Sequence, residues 1–165
     1  MKKIAIYPGT FDPITYGHLN IITRAMKIFN IIIIAIFNNS DKKTLFNIQE
    51  RKKLVEITTK HFKSVEKVIN FNNLLVNIAK KENANYVIRG IRSSLDCEYE
   101  INMFRANKVL YPKLEHMLFF SSLEYSCISS TLVKEISKYN GDVKKYVPKS
   151  VYHALLKKYK NIKNY

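Results

Sequence analysis

The stretch Ala5-Ile6-Tyr7-Pro8-Gly9-Thr10-Phe11-Asp12-Pro13-Ile14-Thr15-Tyr16-Gly17-His18 decides how this chain folds. An apolar run, Lys3–Tyr7, enters a Pro/Gly turn, and the turn feeds a helix opened by Thr15, Gly17 and His18. A strand that passes through a glycine turn into a helix N-terminus makes an anion site from backbone N–H groups and the positive end of the helix dipole. Gly9 carries no Cβ and so lets backbone approach a phosphate closely. Thr10 and His18 add side-chain donors on the same side. The phosphates of a nucleotide are the expected occupant.

Outward from this unit, strands alternate with helices, the pattern of a parallel α/β sheet. Strands are predicted over 3–7, 30–37, 65–70, 86–89 and 117–121, and helices over 18–28, 47–59, 74–81, 96–109, 130–139 and 149–158. Asn30–Phe37 is nearly continuous isoleucine, as a central strand covered on both faces requires. Asn47 and Glu50 stand at capping-box spacing. Gly141 occupies the usual stop position after a helix. The expected architecture is α/β: one Rossmann-like domain over residues 1–165, a five-stranded parallel sheet with helices on both faces, and a polar tail from about residue 157.

Composition narrows the class. A chain of 165 residues, 47% hydrophobic and 25% charged, is a soluble globular domain by balance. Its longest apolar run, Ile31–Phe37, is too short to cross a bilayer. The apolar stretch after Lys2 and Lys3 stops at Pro8, unlike a signal peptide, so a cytoplasmic location is expected. Cys97 and Cys127 lack CxxC spacing and read as reduced thiols. The net charge of +15 suggests nucleic acid, but 23 of the 28 basic residues are Lys, spread along the chain. Codon composition accounts for such a pattern, so no nucleic-acid partner is expected. The charge still attracts an anionic substrate.

The four glycines exclude the familiar phosphate loops. Gly9 and Gly17 belong to the first motif, Gly90 lies between Arg89 and Arg92, and Gly141 follows a helix. None remains for GxGxxG or GxxxxGK. His61, His116 and His153 are scattered without metal-ligand spacing, and no protein-held metal is expected. The positive helix end favours a neutral His18, whose N–H suits a phosphate oxygen gaining charge. Asp12, among turn residues, is expected to stabilise the turn. Arg89-Gly90-Ile91-Arg92 follows a strand, and its two guanidiniums, hinged on glycine, can grip two phosphates. Ion pairing with Asp96 or Glu98 is the competing reading. Ser129-Ser130-Thr131 opens a helix with hydroxyls and free N–H groups, either as a phosphate site or as an ordinary cap.

The motif Gly9-Thr10-Phe11-Asp12-Pro13 with Thr15-Tyr16-Gly17-His18 resembles that of the nucleotidyltransferase superfamily. Lys42-Lys43, Arg89-Gly90-Ile91-Arg92, Asp96–Glu100 and Glu124–Thr131, in this order, extend the resemblance to the bacterial phosphopantetheine adenylyltransferase family over residues 3–156. The resemblance implies transfer of AMP from ATP to 4′-phosphopantetheine, by in-line attack without a covalent intermediate, in a homohexamer built as a dimer of trimers. Magnesium is expected to arrive with ATP.

By resemblance, Thr10, His18, Lys42 and Arg92 are the catalytic set. Thr10, Phe11 through its backbone N–H, His18, Gly90, Ile91, Arg92, Glu100, Tyr125, Ser126, Cys127, Ile128, Ser129, Ser130 and Thr131 are expected at ATP. Thr10, Lys42, Leu75 and Arg89 are expected at phosphopantetheine, with Leu74 beside its arm. Asp41 stands where the family often has proline, and Lys43 is the alternative to Lys42 if the register slips.

Overall fold

The computed structural model describes residues 2–38 and 43–163, with side chains as far as residue 160. Five parallel strands form one sheet: β1 (Ile4–Gly9), β2 (Ile31–Phe37), β3 (Val65–Phe71), β4 (Tyr86–Ile91) and β5 (Glu115–Phe120). Their spatial order is β3-β2-β1-β4-β5, all neighbours parallel. The chain therefore winds outward from β1 in one direction, then crosses to β4 and continues in the other. The switch point lies between β1 and β4, and the carboxyl ends of the strands at such a point bound a ligand crevice.

Helices α1 (Tyr16–Ala25), α2 (Ile48–Thr59), α3 (Leu75–Lys81), α4 (Ser94–Leu110), α5 (Ser130–Lys138) and α6 (Lys149–Lys163) follow, with a 3-10 turn at Leu123–Tyr125. The isoleucine strand serves both faces through its two-residue period. Ile32, Ile34 and Ile36 join the layer packed by α1, α2, α5 and α6, whereas Ile33 and Ala35 join the one containing Val76 and Ala79 of α3. The expected doubly covered parallel sheet is what forms.

Three expectations are corrected. The segment after residue 157 is not a tail: α6 continues to Lys163, with Lys158 paired to Glu50 and the Tyr159 hydroxyl donating to Lys134 O at 2.9 Å. Gly141 does not supply a left-handed turn. Asn140 does, with φ 61°, while the Gly141 N–H donates to Ile136 O at 2.9 Å and the absent Cβ makes room for Ile136. Gly90 is no hinge either. It lies within β4, where a side chain would strike Ile21, so it lets α1 settle on the sheet beside Arg89.

Candidate active site

Beyond β1, Phe11 turns the chain with φ 48°, and its ring is buried. The ring packs edge-on to Tyr7 at 5.4 Å and against His18 at 5.0 Å between centroids. A Cβ on Gly9 would lie 2.9 Å from that ring. Gly9 thus accommodates Phe11 first.

Thr15 caps α1, and His18 returns the favour. The Thr15 hydroxyl accepts from the His18 N–H, and His18 Nδ1 accepts from the Thr15 N–H at 3.0 Å. This is a capping box with histidine where Glu or Gln is usual. Because Nδ1 accepts, the neutral ring carries its proton on Nε2. Burial, and then the Arg92 cation, push the imidazole from its ordinary 6.5 down to about 4. A neutral donor is therefore present at pH 7, as the sequence suggested, but through burial and Arg92.

Asp12 does more than stabilise its own turn. Its two oxygens accept from the Leu45 and Phe46 N–H groups, both at 2.9 Å, and from Lys134 Nζ at 2.7 Å. One carboxylate thus ties the motif to the 45–46 loop and to α5. Beneath it lies Arg51, 1% exposed, which donates to the carbonyls of Thr10 (2.8 Å), Phe37 (3.0 Å) and Phe46 (3.2 Å). Burial lowers its pKa and the nearby Asp12 opposes this. Arg51 escaped the sequence reading because an arginine in an amphipathic helix reads as surface; only the folded chain brings the three carbonyls to it.

On the β4 side, Arg89 Nη1 donates to Pro8 O at 3.2 Å, and Nη2 is ion-paired with Glu100. Arg92 Nε reaches Asp96 at 3.2 Å and stays largely exposed. The expected ion pair with Asp96 forms at Arg92, Arg89 pairs with Glu100 and not with Glu98, and both arginines still line the cleft. Glu100 is buried against Arg89 and is not among the residues that line the cleft.

The cleft is about 560 Å³ and brings together Thr10, His18, Arg89 and Arg92 with the start of α5. Phe11, Gly90, Tyr125, Ile128, Ser129, Ser130, Thr131 and Lys43 also border it. Ser129 caps α5 by accepting from Leu132 N at 3.0 Å, and the Ser130 hydroxyl donates to Pro13 O at 2.7 Å. Both hydroxyls are engaged structurally, leaving N–H groups at the helix start for an anion. Ile91 is buried in β4, Leu75 packs in the α3 core layer, and Ser126 and Cys127 are exposed outside the cleft. None of these four is among the residues that line the cleft. Leu74 is exposed. Lys42, with Asp41, lies outside the described residues.

The cytidylyltransferase-like family model matches residues 6–136. A phosphopantetheine adenylyltransferase of Buchnera aphidicola subsp. Schizaphis graminum is 59% identical over 98% of both chains. One of Buchnera aphidicola subsp. Acyrthosiphon pisum is 56% identical, again over 98% of both. Among solved structures, the nicotinic acid mononucleotide adenylyltransferase of Plasmodium falciparum complexed with NaAD superposes with a TM-score of 0.72 at 17% identity, covering 95% of this chain and 96% of that one. A putative nicotinate-nucleotide adenylyltransferase from Vibrio parahaemolyticus gives 0.68 at 19% identity, over 95% and 93%. At those identities the two structures speak for the fold alone.

Proposed function

This chain belongs to the cytidylyltransferase-like family and, within it, to the phosphopantetheine adenylyltransferases, and from that membership we propose that it transfers AMP from ATP to 4′-phosphopantetheine. The products are dephospho-coenzyme A and diphosphate, a step of coenzyme A synthesis. An oxygen of the 4′-phosphate forms a bond to the α-phosphorus, and the bond to the β-phosphate's bridging oxygen breaks in line. No nucleophile from the protein is needed. Two polyanions must instead be aligned and their repulsion absorbed.

One observation carries the mechanism: a neutral imidazole, its Nδ1 fixed by a helix cap, shares one cleft with two guanidiniums. His18 Nε2–H donates to the α-phosphate oxygens as charge gathers there. The Thr10 hydroxyl and the Phe11 N–H bind the incoming phosphate. Arg89, held by Pro8 O and Glu100, takes the acceptor's phosphate, and the exposed Arg92 takes those of ATP. N–H groups at the start of α5 suit the β- and γ-phosphates. Lys42 is retained as the bridging lysine on resemblance.

Magnesium is proposed to travel with ATP, bound by phosphates and water, and to neutralise the leaving diphosphate. The donor set fits that role: Asp12, the acidic side chain bordering the cleft among the described residues, already serves Leu45, Phe46 and Lys134. Among the described residues no helix is long and apolar enough to cross a membrane. A cytoplasmic location is proposed, supported by the free thiols of Cys97 and Cys127. A homohexamer, a dimer of trimers, is the proposed assembly. Exposed Leu95, Tyr99, Val109 and Phe120 on α4 and β5 support burial against other copies.

Diphosphate release with ATP should appear with 4′-phosphopantetheine and stay at background with nicotinate mononucleotide. Glycerol phosphate with CTP should give none. Release with either alternative, and none with 4′-phosphopantetheine, overturns the assignment.

A further inference from the structure

A polar chain leads from Arg89 into the layer between β5 and α4, away from the cleft. Glu100 is 5% exposed; one of its oxygens takes the Arg89 ion pair, and the other, Oε2, is buried without a partner among the described residues. Seven residues along α4, Asn107 is also buried, and its amide Nδ2 lies 3.2 Å from His116 Nε2 on β5. An amide nitrogen only donates, so Nε2 accepts and the neutral ring carries its proton on Nδ1. That Nδ1 is likewise buried without a partner among the described residues.

An orphan acceptor and an orphan donor thus occupy one layer. Buried polar atoms are rarely left unpaired, because each then loses its hydration with no return. The two side chains also feel one another's charge. Burial lowers the His116 pKa, Glu100 and Glu115 pull it up, and Arg89 lowers it further. The Phe104 ring, 5.5 Å away between centroids, packs edge-on against the imidazole. The ion pair of Lys108 with Glu115 joins the same helix and strand.

We infer that His116 is a positioning residue for Arg89, its Nδ1–H linked through one bridging water to Glu100 Oε2. Asn107 fixes the tautomer, His116 fixes the carboxylate, and the carboxylate fixes the guanidinium. Arg89 is pinned on its other side by Pro8 O, so this chain sets the plane it offers to a phosphate. The inference rests on the reading that Arg89 holds the acceptor's phosphate.

The test uses the full chain with His116→Phe, His116→Gln and Glu100→Gln. Calorimetry should show His116→Phe binding 4′-phosphopantetheine about tenfold more weakly, as loss of one positioning hydrogen bond implies. ATP affinity should stay within about twofold. Glutamine can accept from Asn107 and donate to Glu100, so His116→Gln should recover most of the loss. Combining Glu100→Gln with His116→Phe should add little to Glu100→Gln alone. Nitrogen NMR of the unmodified chain should place the His116 proton on Nδ1 at pH 7, a readout that does not depend on any variant folding. Unchanged acceptor affinity in His116→Phe, equal loss of ATP and acceptor, strict additivity, or a proton on Nε2 would each overturn the inference. Failure of the underlying reading shows elsewhere: no diphosphate release by the unmodified chain, or full acceptor affinity in Arg89→Ala.

Discussion

The two walls of the cleft are built on different principles. On the β1–α1 wall, polar side chains are held chiefly by main chain: His18 by the Thr15 N–H and Asp12 by two loop N–H groups beside Lys134, with Arg51 of α2 holding three carbonyls behind them. On the β4–α4 wall, they are held chiefly by opposite charge: Arg89 by Glu100 and Arg92 by Asp96. Main-chain partners do not titrate and do not leave. The more exposed Asp96 can be traded for a phosphate at modest cost, because one anion replaces another around Arg92, while the buried Glu100 stays with Arg89. The first wall suits stabilisation of a transition state, which needs groups fixed beforehand. The second suits binding of substrates that come and go.

The sharpest break of this contrast is at Arg51. Arg51→Met should destabilise the fold by about 3–5 kcal/mol, because three carbonyls lose their donor and each unsatisfied buried acceptor costs about 1–3 kcal/mol. A denaturant midpoint near that of the unmodified chain would show that the main-chain clamp is dispensable. Next is His18→Ala, which should keep ATP affinity while turnover falls by about 10²–10³, some 3–4 kcal/mol of transition-state stabilisation. His18→Gln restores the usual capping box, so it should recover helix stability but not turnover. Unchanged turnover in either variant refutes the role.

Across the cleft, Arg89→Ala should weaken 4′-phosphopantetheine by about 1.5–3 kcal/mol, the worth of a charge-assisted contact, with ATP nearly unaffected. Equal loss of both ligands by calorimetry would erase the division between the arginines. Asp96→Ala should matter least, costing under about 1 kcal/mol, since its pair with Arg92 is substantially exposed.

Acid sharpens the contrast from the other side. His18 binds a proton near pH 4 in the fold and near 6.5 in the unfolded chain, so between those values the unfolded state holds more protons. Its contribution to stability is complete above about pH 6.5 and is lost as pH falls toward 4. Proton NMR should find the His18 ring titrating near 4; a midpoint at 6.5 would mean that the part-buried imidazole is not desolvated in the cleft wall.

Much of this molecule was legible before folding. The alternation of strands and helices, the central isoleucine strand with its two faces, the caps at Thr15, Asn47 and Ser129, and the convergence of His18, Arg89 and Arg92 at one sheet edge all follow from local rules. What was missed shares one cause. Asp12 finds its partners 33 and 34 residues away, Arg51 reaches a carbonyl 41 residues away, and Lys134 bridges 122 residues back to Asp12. Their exposed-looking neighbours in sequence say nothing of this. Tyr159 and Lys158 likewise turned an apparent tail into packed helix through contacts with Lys134 and Glu50.

The chain's own order of residues determined the periodicities, the glycine turn, the helix starts and the family to which it belongs, because these depend on neighbours within a turn or a strand. Which polar groups face substrate and which are spent on the scaffold was decided only in three dimensions. Burial takes polar atoms out of water, and each must then find a partner wherever the fold supplies one.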